Sequence, residues 1–347
     1  MIRVLGSEEY VEWDDFVFNH KYGTIYHTSD WLRIIQNSFR VSPVILVKKD
    51  TSISAGIPFF HHNSFLTGSK LSSITSAQSC NPLVSSNFDL TELLRFTQSY
   101  ISNNRISKIE IKTNEEFEYV NQSLGVPESD FCTYTLNLDL PYEQVEKSFH
   151  KSCILRPLKK SYKNNLKLIS GTSLEDVKIF YRLYETMRKD NGLLPQPYTF
   201  FKNLWETLYP NNACEIYHAE FNGKTISSVF NLMYKQTYTY EYGATDKKYT
   251  YLNPSHFLLD NSIKSAISKN FKVFDFGRTE NSNTGLMDFK RRWGAKKVNL
   301  NYYYLPPNVK SAALDSKMIK AIIEKAIYYT PKPIYRVMGK LVYQILF

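Results

Sequence analysis

Apolar and polar side chains alternate, the signature of a half-buried strand, in two separated stretches: VILVKKDTSISAGIPFF (Val44 to Phe60) and EIYHAEFNGKTISSVFNLMY (Glu215 to Tyr234). Each reads as a strand, a polar turn (KKDTS or NGK) and a second strand carrying small residues, Ala55 and Gly56 or Ser227 and Ser228. A helix (LTELLRFTQSYISNN) and a short apolar strand (KIEIKT) follow the first hairpin. Another strand, a helix (SHFLLDNSIKSAISKN) and the strand KVFDFG follow the second. Helical periodicity precedes each hairpin, in YVEWDDFVFN and SDWLRIIQNSF, then in SLEDVKIFYRLYETMRKDN and TFFKNLWETLY. The same order twice predicts a duplicated α/β unit, and 347 residues suit two cores better than one.

The boundary is expected near Leu140 and Pro141, after a strand CTYTLNLDL and before a helix YEQVEKSFHKS. This gives a first domain over 1–140, a second over 141–307 that carries the main site, and a tail over 308–347. In the tail, Leu314, Met318, Ile322 and Ile323 share one helical side, and Ile334, Met338, Leu341, Val342 and Ile345 share another, with lysines and arginines interspersed. Such basic amphipathic helices suit an anionic membrane surface or packing over the domain junction.

Net charge is +10, which favours anionic partners. The clearest concentration runs from Lys147 to Leu168, where seven cations occur without an acidic residue. Arg156, Lys159, Lys160 and Lys163 have helical spacing, with Pro157 in the first turn, and would face the phosphates of a nucleotide carrier or an RNA backbone. The same pattern also describes a solvated helix face.

Several chemistries lack their residues. Cys80, Cys132, Cys153 and Cys214 are far apart, so they read as reduced thiols. The seven histidines show no metal-ligand spacing, and no metal is expected. Serine-hydrolase elbows and phosphate-binding glycine loops are missing, so no tightly bound cofactor is expected. No secretory signal and no membrane-length apolar run are seen, and a cytoplasmic location is predicted, with peripheral attachment through the tail as an added expectation.

The most distinctive stretch is VFDFGRTENSNTGLMDFKRRWGAKKVNLNYYYL, Val273 to Leu305, preceded by YTYEYGATDKKYTYLNPSHFLLD. Its DFGR segment (Asp275 to Arg278) and FKxxWG segment (Phe289, Lys290, Trp293, Gly294) resemble motifs of the FemAB-like transferases of the GNAT superfamily. The resemblance covers roughly residues 1 to 305 and includes the SDWL segment around Trp31. It implies an α/β (α+β) fold of two tandem GNAT-like domains with mixed, largely antiparallel sheets. It also implies transfer of an acyl or aminoacyl group from an activated donor to an amine of a cell-envelope precursor, a peptidoglycan or surface-polysaccharide intermediate. Acyl-CoA or aminoacyl-tRNA would be the donor.

On that resemblance the central strands splay near Gly243, freeing backbone N–H groups for a carbonyl, with Tyr242 as a hydroxyl donor. Asp275 would orient Arg278 or Lys290, and those cations would hold the donor or stabilise charge during transfer. Glu241 and His256 are proton acceptors by residue type. Asn253, at the entry to a helix, Arg156, Lys160 and Trp31 complete the expected substrate contacts. The loop ATDKKYTYLN lacks the pyrophosphate-gripping turn of the acyl-CoA branch, and no long helical hairpin interrupts Ser173 to Tyr209, so the donor stays open. N-acetylation of an amino sugar by acyl-CoA is one alternative. A non-catalytic binder of RNA or anionic glycan is another.

Overall fold

The computed structural model describes residues 1–39, 41–64, 68–74, 76–115, 127–305 and 324–346. Its elements, in chain order, are β1 (Ile2–Val4), α1 (Tyr10–Asn19), α2 (Ser29–Phe39), β2 (Ser42–Lys49), β3 (Ile53–Ser64), β4 (Gly68–Ser72), α3 (Asn87–Asn103), β5 (Lys108–Thr113) and β6 (Glu128–Asn137). There follow α4 (Tyr142–Glu146), α5 (Arg156–Lys163), β7 (Lys167–Ser170), α6 (Leu174–Asp190), α7 (Tyr198–Leu208), β8 (Cys214–Phe221), β9 (Lys224–Tyr234) and β10 (Thr237–Thr245). The last are α8 (Pro254–Ser268), β11 (Val273–Asp275), β12 (Thr279–Glu280), α9 (Thr284–Arg291), β13 (Lys296–Leu305) and α10 (Lys332–Leu346).

Two compact units form: Met1–Phe131 with Asn299–Ala313 and Leu341–Phe347, and Cys132–Val298 with Leu314–Lys340. In the first, β1 to β4 pair antiparallel in succession, and β4 and β5 are parallel. Strand β13 closes the order, antiparallel to β5 with Asn301 opposite Thr113 and Leu305 opposite Ile109. Its core gathers Leu46, Ile57 and Phe59 from the hairpin with Leu90 and Leu93 from α3.

The second unit repeats the plan. Strands β7 to β10 pair antiparallel in succession, β10 and β11 are parallel, and β6 closes the order antiparallel to β11, with Thr135 opposite Asp275. Helix α8 packs one face through Ile263, near Phe274 and Trp293. Aromatic Phe180 of α6 and Phe201 of α7 meet Phe230 of β9.

The two closing strands are exchanged relative to the sequence expectation. That reading ended the first domain with β6 and the second with β13, whereas β6 completes the sheet of Asp275 and β13 completes that of Thr113. The division accordingly falls at Phe131/Cys132, with Asn299–Leu305 returned to the first unit. A strand pairs where an unfilled edge matches its register, and sequence order alone does not specify which edge that is. The tail splits likewise: 308–323 and 347 lie outside the described residues, and α10 contributes to both units. No helix among the described residues is long and apolar enough to cross a membrane.

Candidate functional site

The site is built at the open end of the β10–β11 pair. The two strands are in register for only three residues, Thr237 to Thr239 against Val273 to Asp275. Beyond this, β10 continues to Thr245 along β9, with an irregularity between Tyr240 and Tyr242 that leaves Glu241 out of register. An extra residue of this kind bends a strand and re-aims its side chains. Glu241 lies within electrostatic reach of Lys290.

Asp275 ends β11, and the chain turns at Gly277, whose φ of 78° is one that residues with a Cβ rarely adopt. Thr133 Oγ1, from β6, donates to Asp275 Oδ1 at 2.5 Å, and the Gly277 N–H donates to the same oxygen at 2.8 Å. Burial pushes the Asp275 carboxyl above its ordinary value, while these two donors and the Lys290 ammonium oppose the rise.

Lys290 enters from α9, a helix whose first turn is capped by Asn283 Oδ1 accepting from the Leu286 N–H at 3.1 Å. Its side chain is 5% exposed, and Nζ donates to the Gly277 carbonyl at 2.5 Å. Gly277 therefore joins the two motifs, its N–H to Asp275 and its C=O to Lys290. Burial pushes the Lys290 pKa down to about 8, against the carboxylates of Asp275 and Glu241, which hold it up. An ammonium has three donors, so Lys290 keeps hydrogen-bonding capacity beyond Gly277.

The same helix turns Phe289 and Trp293 toward α8. His256 lies against them, its ring 5.2 Å from Phe289 and 6.0 Å from Trp293, with Nε2 3.3 Å from the Cys153 carbonyl. Burial lowers its pKa. The sequence reading offered His256 as a proton acceptor; its ring packs beneath α9 in the structure. Gly294 ends this segment with φ of 78°, and a Cβ there would collide with Ser148.

Tyr242 turns away from this group. Its ring is edge-on to Phe201 at 5.2 Å, Phe200 at 6.0 Å and Tyr184 at 6.4 Å, so α6 and α7 wall it. Gly243 pairs with Val229 and leaves room for the Tyr240 ring. Arg278 is exposed beside the Gly277 turn, and the nearby charge that acts on Asp275 is that of Lys290. Asn253 takes a left-handed conformation before α8 and accepts from the Phe257 N–H at 3.2 Å through its backbone carbonyl.

Arg156 and Lys160 lie exposed on α5, and among the described residues neither has an acidic partner. That helix is anchored from below, where Asp260, wholly buried on α8, accepts from Tyr162 at 2.5 Å, from Lys264 at 2.7 Å and from Tyr142. Trp31, expected near substrate, is completely buried in the first unit against Tyr26. It is a core residue. Among the described residues, no three His, Cys, Asp or Glu side chains group as metal ligands.

Sequence reasoning missed Thr133 and Cys132. The only signal was their place in CTYTLNLDL, read as a strand of the other domain.

A parallel strand pair following an antiparallel run in each of two units, splayed at β10–β11 in the second, defines a protein of the GNAT fold. Residues 155–291 match the family described as acetyltransferase (GNAT) domain. The solved structure of FemX superposes with a TM-score of 0.72 over 88% of this chain and 97% of that one, at 14% identity. A tandem GNAT protein from the clavulanic acid biosynthesis pathway superposes at 0.53 over 88% and 97%, at 9% identity. The chain has the FemAB-like fold of tandem GNAT proteins. In sequence it is similar to the UDP-N-acetylmuramoylpentapeptide-lysine N(6)-alanyltransferase of Weissella viridescens, 24% identical over 127 residues. That match spans 37% of each chain.

Proposed function

We propose that the second unit transfers an acyl or aminoacyl group from an activated donor to the amine of a cell-envelope precursor, a peptidoglycan or surface-polysaccharide intermediate. The observation that carries this is a buried ammonium, Lys290, held by the Gly277 carbonyl at the open end of a parallel strand pair. The likeness to an alanyltransferase acting on a muramoylpentapeptide lysine supports both the class of acceptor and aminoacyl transfer.

The acceptor nitrogen attacks the donor carbonyl carbon and passes its proton to Glu241. Lys290 donates to the oxyanion that forms, a charge-assisted bond from a buried ammonium. The carbonyl then reforms and expels the donor oxygen of an ester, or the sulfur of a thioester, with its electron pair, and the leaving atom takes the proton held by Glu241, which returns to its carboxylate form. Asp275 fixes the Gly277 turn that aims Lys290. Tyr242 serves as wall, Arg278 faces the donor from the exposed side of the turn, and Arg156 and Lys160 meet donor phosphates.

The experiment offers purified protein alanyl-tRNA or acetyl-CoA together with a UDP-linked muramoylpentapeptide or an amino sugar, and follows acceptor mass. A mass gain with alanyl-tRNA supports the reading; a gain only with acetyl-CoA on the sugar replaces it with CoA-dependent N-acetylation, which the acetyltransferase match favours. Because the cationic form is the active one here, kcat/KM falls as pH rises through about 8. A second reading, a binder of RNA or anionic glycan, is favoured by Arg156 and Lys160 of α5, exposed and without an acidic partner among the described residues. Salt-sensitive binding without turnover of any donor would establish it. The protein acts at the inner face of the cell membrane, with its tail as the point of peripheral contact.

A further inference from the structure

A cavity of about 440 Å³ opens beside α6, the start of α7 and α10, away from Lys290, and its lining includes Lys178, Arg182, Tyr198, Arg336 and Lys340. Its charges do not cancel. Arg336 is bidentate to the buried Glu185, at 2.5 and 2.8 Å. Lys178 and Arg182 share one carboxylate, Glu175, at 2.9 and 3.3 Å. Lys340 has no acidic partner among the described residues. Four cations thus face two carboxylates, and the excess calls for an anion.

What surrounds the cavity says which kind. At roughly 100° per residue, Arg336 and Lys340 lie about 40° apart on α10, Val337 about 100° and Ile334 about 160° round from Arg336. The helix is seated by its other side, where Tyr335 is buried and its hydroxyl donates to the Leu193 carbonyl at 2.7 Å. Ile334 is 55% exposed and Val337 57% exposed, and Tyr329, just before α10, is 74% exposed. A cationic edge beside an uncovered apolar ridge matches a surface that is anionic at its headgroups and apolar just beneath. A polyanion such as RNA would use the cations and leave the ridge in water.

We propose that this cavity is a phosphodiester headgroup site, through which the second unit docks on a bilayer containing anionic phospholipid while α10 lays Ile334 and Val337 into the headgroup boundary. The proposal gives the expected membrane contact a site and a ligand class, and it stands apart from the transfer chemistry, since none of its residues belongs to the Lys290 group.

The test is co-sedimentation of the full chain with phosphatidylcholine vesicles and with phosphatidylcholine–phosphatidylglycerol vesicles. Wild-type protein sediments with the anionic vesicles only. The Lys178→Gln/Lys340→Gln variant loses about thirtyfold in partitioning, and the Ile334→Ser/Val337→Ser variant loses the fraction that resists salt. All these positions are exposed, and unchanged unfolding midpoints verify the folds. Equal binding to both vesicle types, no binding, or binding indifferent to either variant overturns the proposal. So does retention of bulk tRNA that depends on Lys178 and Lys340 alone, in protein that ignores vesicles. Transfer to a soluble acceptor is the same in all variants, so failure here leaves the transferase reading intact.

Discussion

Replacing Lys290 by methionine tests whether its ammonium is held in the fold at a cost. The amine moves from an ordinary value of 10.5 to about 8 through burial at 5% exposure. That corresponds to about 3 kcal/mol favouring the neutral over the charged form in the folded protein. Below pH 8 the native amine is charged and the whole penalty is present. Between about 8 and 10.5 the unfolded chain binds more protons than the native one, so stability rises with pH across that window. Lys290→Met removes the penalty but also the bond to the Gly277 carbonyl, worth about 1.5–3 kcal/mol. Thr133 Oγ1 also lies 3.1 Å from that carbonyl, but its single proton is shared with Asp275 Oδ1, so it offsets only part of this loss. The variant should therefore be as stable as wild type at pH 7, or more stable by up to about 2 kcal/mol, and inactive. Its stability relative to wild type should fall by about 2 kcal/mol between pH 7 and 9.5. Urea unfolding followed by tryptophan fluorescence at both pH values measures this. A variant more than about 2 kcal/mol less stable than wild type at pH 7, or a difference flat with pH, refutes the reasoning and makes Lys290 a structural pillar.

Thr133→Val keeps the shape at β6 but removes a donor to Asp275, so the carboxyl pKa climbs further, the acid limb of the transfer profile moves to higher pH, and about 1–3 kcal/mol of stability is lost. Gly294→Ala meets both a positive φ and the Ser148 side chain and should cost about 1–3 kcal/mol by urea unfolding. Asp260→Ala strands Tyr142, Tyr162 and Lys264, and a loss of about 3–5 kcal/mol is expected. Asp260→Asn, which retains acceptor capacity, should lose less.

Local signals were legible where local physics decides. The periods of YVEWDDFVFN and SDWLRIIQNSF mark α1 and α2 to the residue, and Pro157 marks the first turn of α5. Asp275 and Lys290 stood out because their motifs lie within one short segment, and the structure joins them through Gly277. Thr133 did not, because it comes to Asp275 from 142 residues away through a strand pairing that no local pattern encodes. The helix expected over 142–152 stops at Glu146, and the Lys151–Leu155 stretch takes a wider π turn that carries Cys153 toward His256 and Arg292. Residue type promoted His256 and the family resemblance promoted Trp31, and the structure packs both against aromatic neighbours.

The crossed closing strands make the duplication irreversible. Cutting the chain at the apparent seam between its copies would leave the second half with a bare edge and without the threonine that tethers its aspartate. The other half would lose the partner of Thr113. Neither copy can now be shed or shuffled alone, so any ancestor that worked as one unit must have borne its own final strand.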